Sequence, residues 1–115
     1  MDIQTFTTPK DQVVGLELHF GQAEAEFVLE SDGSIIYTPY NDDKKWFAAP
    51  TLEIFQKAAV SWSRYCKEVQ KYSTEEEQLS VVAHLHNELS KLGLVGAGIE
   101  TVWSSYVEQA KYGHL

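Results

Sequence analysis

The sequence predicts an α+β fold: an N-terminal antiparallel sheet of three to four strands, with three C-terminal helices packed on one of its faces. Three observations predict it. Residues 12–40 alternate apolar and polar with a period of two. Turn residues interrupt that alternation at Gly21-Gln22 and at Asp32-Gly33. From Thr51 onward the apolar spacing changes to three and four residues, the period of a helix. A block of strands followed by a block of helices segregates into two layers, because each element buries one face against the other.

In the first clear strand, Val14, Leu16, Leu18 and Phe20 fall on one side, and Val13, Gly15, Glu17 and His19 on the other. The apolar set is expected to face the core. Residues 3–7 add a further short strand ahead of it. After Gly21-Gln22, Ala23, Ala25, Phe27 and Leu29 alternate with Glu24, Glu26, Val28 and Glu30. Asp32-Gly33 closes the next hairpin, since glycine reaches positive φ without steric cost. The third strand runs over residues 34–40 until Pro39 marks its edge or end. Asn41 to Lys45 is a charged loop, and Trp46 follows its two lysines as an exposed aromatic.

Helices are expected near 51–71, 74–92 and 99–112. Pro50 suits a first helical turn, and Leu52, Phe55, Ala59, Trp62, Cys66 and Val69 form one apolar stripe. Ser73 or Thr74, with Glu76 or Glu77 three residues on, starts the second helix as a capping box. Its stripe is Leu79, Val82, Leu85, Leu89 and Leu92, and Gly93 ends it. The glycine-rich segment 94–98 reads as a linker. The third helix carries Val102, Trp103, Tyr106, Val107 and Ala110. The expected core is Leu16, Leu18, Phe27, Leu29, Phe55, Trp62, Leu85 and Trp103. Val60, Tyr65 and Tyr72 lie off the first helix's main stripe, which leaves a monomer or a weak homodimer open.

The 115 residues fit a single domain over 1–115, with strands about 12–40 and helices about 51–112. A hydrophobic fraction of 43% supplies a core without staples. The formal charge of −8 repels phosphate backbones, so nucleic acid is not an expected partner, whereas a basic protein is attracted. No run approaches the roughly 18 apolar residues of a membrane-spanning helix, so no membrane partner is expected. One cysteine, Cys66, excludes an intrachain disulfide and fits a cytoplasmic address.

No residue constellation predicts catalysis, a cofactor or a metal. His84 and His86, two apart on a helix, point about 200° from one another. His84 and Glu88 share a face but lack a third ligand. Cys66 lies on an apolar stripe, where a thiol acts as a small hydrophobe. Gly93 to Gly98 follows a helix and lacks the lysine of a phosphate-binding loop. The expected partner-binding surface is instead the acidic side of the strands: Glu17, Glu24, Glu26 and Glu30, with His19 among them and Trp46 at the flank. The alternative is the ordinary wet face of a one-sided sheet.

Two blocks carry a resemblance. The hairpin leads into Phe47, Thr51, Leu52 and Phe55, and the C-terminal stretch carries Trp103, Glu108, Tyr112, Gly113 and Leu115. Together these resemble the C-terminal portion of the SUKH (Smi/Knr-like) immunity-protein superfamily, fourth subgroup, over about residues 26–115. Ala49 and Pro50 stand where that family usually has asparagine and serine, and its members carry a longer N-terminal region. The resemblance implies an immunity role: binding and blocking a polymorphic toxin, often a nuclease or deaminase, with no catalytic residues of its own. A small acidic chaperone of a secreted effector is the alternative function. A third is an enzymatic or small-molecule-binding domain using His84 and Glu88.

Overall fold

The computed structural model describes residues 1–112. Among them, β1 (Asp2–Lys10), β2 (Val13–His19), β3 (Gln22–Leu29), β4 (Ile35–Pro39) and β5 (Trp46–Ala49) precede α1 (Leu52–Val69), α2 (Glu75–Lys91) and α3 (Val102–Lys111). The strands form one antiparallel meander in the order β1-β2-β3-β4-β5. The α+β architecture is as expected, but the sheet has five strands rather than three or four. Residues 46–49, beyond the expected strands, are the fifth. That strand is too short to show alternation, and a register shift breaks what pattern it has.

Two-residue turns join β1 to β2 and β2 to β3. Asp11 and Gln12 have φ of 51° and 70°, and Phe20 and Gly21 have φ of 53° and 79°. This left-handed geometry matches the twist of the flanking strands. Phe20 is bulky for such a position, where a Cβ costs roughly 1–2 kcal/mol, and its ring is fully exposed.

The second strand is where the expected faces fail. The pairing of β2 with β3 shifts between Val13 and Gly15 and again between Glu17 and Leu18. Each shift breaks the strict alternation of side chains. Val14, Gly15 and Glu17 are buried, whereas Leu16 and Leu18 are only half-buried. A Cβ at Gly15 would lie 2.8 Å from the Gln4 carbonyl oxygen and 3.0 Å from Cζ of Phe55. The missing side chain therefore lets Phe55 of α1 rest on the sheet backbone.

Around this contact the core is aromatic. Gly15 pairs with Phe27, which pairs with Tyr37. The Phe27 ring lies 4.8 Å from Phe55, 5.6 Å from Tyr37 and 6.4 Å from Trp103 between centroids. Phe27, Phe55, Trp62, Leu85 and Trp103 are buried as expected, and Leu29 is half-buried against them. Tyr65, expected off the stripe, is buried beside Trp62 at 5.1 Å. Leu79, expected on the second helix's stripe, is exposed.

Helix ends follow local chemistry. Thr51 caps α1, its side chain accepting from the Ile54 N–H at 3.2 Å, so Pro50 lies just ahead of the cap rather than in the first turn. Thr74 caps α2, accepting from Glu77 N–H at 3.2 Å and donating to the Glu77 carboxylate at 2.6 Å. At the far end, Gly93 N–H bonds Ser90 O at 2.9 Å and Leu94 N–H bonds Leu89 O at 3.1 Å, with Gly93 at φ 76°. Leu94 and Val95 then insert into the core, so the glycine-rich linker is docked. Buried Thr101 donates to Leu94 O at 2.6 Å while capping α3.

α1 and α3 lie against the strands, and α2 completes the layer by packing along both. Among the described residues, no helix packs on the opposite side of the sheet. Trp103 and Trp62 are both fully buried. The Trp103 indole N–H donates to Ala48 O on edge strand β5 at 2.8 Å, whereas that of Trp62 has no partner among the described residues. Replacement by phenylalanine removes similar volume from each site. Trp103→Phe is expected to lose about 1–3 kcal/mol more than Trp62→Phe in chemical denaturation, because it alone orphans a carbonyl. Equal losses would show that the indole–carbonyl bond is not stabilising.

Candidate functional site

The residues expected to form one partner-binding surface are distributed over both sides of the sheet. Glu17 is the main correction. It is 5% exposed and points into the helical layer. Its carboxylate accepts from the Tyr37 hydroxyl at 2.6 Å and from the Tyr106 hydroxyl at 3.0 Å. His19 Nε2 stands 3.6 Å from the same carboxylate, at the half-exposed margin. Glu17 is thus not a solvent-facing contact. It ties β2 to β4 and α3, and the register shifts in β2 put it there.

The two phenols are held as donors. Burial raises the Tyr37 pKa well above the usual phenol range, and the hydrogen bond to Glu17 and the charges of Glu17, Asp42 and Glu24 add to it. Tyr106 is pushed up in the same way, by burial first and then by Glu17 and Tyr37. A buried carboxylate thereby receives two hydrogen bonds in place of water.

Glu24 is half-buried at the shifted pairing of β3, near enough for its charge to act on Tyr37. Trp46 is on the inner side, since it pairs with Tyr37. It is half-buried against the core, with Lys44 Nζ 4.1 Å from its ring centroid, rather than standing free in a loop. Glu26 and Glu30 fall on the outer side, alternating with inward Phe27 and Leu29. Glu26 accepts from the exposed Tyr40 hydroxyl at 3.1 Å, and Glu30 is exposed just beyond β3.

Glu88, His84 and Cys66 also have structural partners. Glu88 accepts from Ser61 Oγ at 2.8 Å and from Arg64 at 2.9 and 3.1 Å, and His84 Nε2 lies 2.9 Å away. This cluster clamps α1 to α2. Cys66 is half-buried, its thiol pKa raised by burial, and its sulfur lies 3.7 Å from Met1 O. Among the described residues no group of three or more His, Cys, Asp or Glu is placed to hold a metal. A groove of about 690 Å³ lies between α1, α2 and α3, with Tyr65, Tyr72 and Leu79 in its wall. No helix of the described residues is long and apolar enough to cross a membrane.

Sequence reasoning missed Tyr37 and Tyr106, because nothing in their spacing points to Glu17. It also passed over Val28, an apolar residue among Glu24, Glu26 and Glu30, which was the available sign that the outer face is not uniformly polar. No family model matches the chain, and no curated protein or solved structure matches it. The SUKH resemblance thus rests on its motif residues, of which Gly113 and Leu115 lie outside the described residues.

Two outcomes follow from these clusters. Glu17→Ala is expected to destabilise by about 1–3 kcal/mol by stranding the buried Tyr106 phenol and the half-buried Tyr37 phenol, whereas a wet-face position would change stability by no more than about 0.5 kcal/mol. A double-mutant cycle with Tyr106→Phe should show coupling of about 0.5–3 kcal/mol, and strict additivity would refute the bond. Burial alone would raise the Glu88 pKa, but Ser61, Arg64 and His84 outweigh it and hold it below its ordinary 4.5. A depressed native pKa contributes stability that is present above the unfolded value and lost as pH falls through the native one. The melting-temperature gap between wild type and Glu88→Gln should therefore be full near neutrality and close as pH falls below the ordinary carboxylate range. A gap independent of pH would contradict this.

Proposed function

We propose that this chain is a non-enzymatic protein-binding module, an immunity-type inhibitor that captures a basic toxin in the cytoplasm. The carrying observation is that Glu26 and Glu30 stand on the helix-free side of the sheet in a chain of net charge −8. Such a surface raises the encounter rate with a cationic protein. The SUKH resemblance supports the inhibitor role. The structural use of Glu17, Glu88 and Cys66 supports binding rather than catalysis, since the two carboxylates are tied to neighbours and the thiol is half-buried with a raised pKa.

The test is kinetic. A partner recovered from the native host, with a toxin encoded beside this chain as the first candidate, is measured against wild type and a Glu26→Lys/Glu30→Lys variant. The association rate should fall by about tenfold or more at low salt, and the difference should shrink as salt screens the field. The fold should be unchanged, because both positions meet solvent. Equal association rates at every salt concentration would place the interface elsewhere, with the groove near Tyr72 the next surface to test.

A further inference from the structure

We propose that the helix-free sheet face is a two-part docking surface for a cationic amphipathic segment, with an apolar centre formed by Val13, Val28, Ile36 and Phe47. This rests on the protein-binding reading and specifies the chemistry of the partner. The strand register is the main observation. Val13 pairs with Val28, Val28 with Ile36, and Ile36 with Phe47. The four side chains thus form one row across β2, β3, β4 and β5, on the side opposite Phe27 and Tyr37. With strands about 4.8 Å apart, three gaps make the row roughly 14 Å long.

None of the four belongs to the buried core, and Phe47 is 40% exposed. A one-sided antiparallel sheet ordinarily alternates apolar inside with polar outside. Here the outer side breaks that rule in one continuous line, which is the pattern of an apolar interface centre with a polar rim. The rim is acidic. Glu26, Val28 and Glu30 succeed one another at every second position, so a carboxylate stands about 6.8 Å to each side of Val28. The Glu30 N–H still bonds Ser34 O at 2.9 Å, which continues the hairpin pairing to that point. Tyr40, hydrogen-bonded to Glu26, adds an aromatic edge.

Charge complementarity selects the occupant. A second copy would bring one −8 chain against another, with like carboxylates around the same apolar row. A nucleic acid or an anionic lipid surface meets the same repulsion. A segment whose apolar side chains cover the row while lysines or arginines reach the rim satisfies both parts.

The probe is a synthetic peptide alternating leucine and lysine, with a leucine–glutamate counterpart as control, titrated into isotopically labelled protein and followed by amide chemical shifts. The cationic peptide should give saturable shifts centred on Val13, Val28, Ile36 and Phe47, and the acidic one should give none. An Ile36→Thr/Phe47→Ser variant, its fold checked from its own amide spectrum, should bind about tenfold more weakly at low and high salt alike. A Glu26→Gln/Glu30→Gln variant should be weakened at low salt only. Absence of saturable binding, shifts centred on the helices, or equal affinity for both peptides would each overturn the inference. If the peptide fails while the native partner still responds to Glu26→Lys/Glu30→Lys, this inference falls and the protein-binding function stands.

Discussion

The contact between the Phe55 ring and the backbone of Gly15 sets how closely the helical layer approaches the sheet. Other contacts in the core depend on that distance. With α1 lying on bare backbone, Phe27 meets Phe55 and Trp103 together, and Trp103 reaches the carbonyl of Ala48. A side chain at Gly15 would collide with backbone on one side and an aromatic ring on the other, and neither can yield cheaply. The close approach also brings Tyr106 down to Glu17. Hydrophobic packing thus fixes the distance, and the polar bonds use it.

Glu17 shows how the sheet tolerates a carboxylate in its inner layer. Desolvating the group is costly, and two tyrosine hydroxyls offset that cost by donating to it from different elements. Since the phenols come from β4 and α3, the cluster joins segments far apart in sequence around a single acceptor. The clamp at Glu88 does the same between α1 and α2, with Ser61, Arg64 and His84 converging on one carboxylate. In both places, side chains that could suggest chemistry are used for architecture.

Having all the helices on one side leaves the other side of the sheet as the surface with distinctive composition. The edges are less available. β5 is short and its Ala48 carbonyl is taken by Trp103, while β1 loses regular pairing between Thr5 and Lys10. The face itself has no such protection. In the proposed function, its apolar row and acidic flanks receive a partner with the converse pattern, and the overall negative charge raises the encounter rate with a basic molecule.

Local chemistry made much of the fold legible. The helical stripes, the caps at Thr74 and Gly93, and the Asp32-Gly33 turn depend on residues within a few positions of one another, and sequence expresses such interactions directly. The α+β order follows from them. The inner and outer faces of β2 were decided only in three dimensions. Register shifts depend on which strand lies beside which, and one extra residue exchanges the two faces. That is why Glu17 appeared among solvent-facing acids yet lies beneath Tyr106, and why Leu16 and Leu18 are half-buried. The candidate surface was legible only as a net charge and a run of glutamates. That Glu26 and Glu30 share a face with Val13, Val28, Ile36 and Phe47 follows from pairing across four strands, a long-range arrangement that composition and local periodicity do not encode.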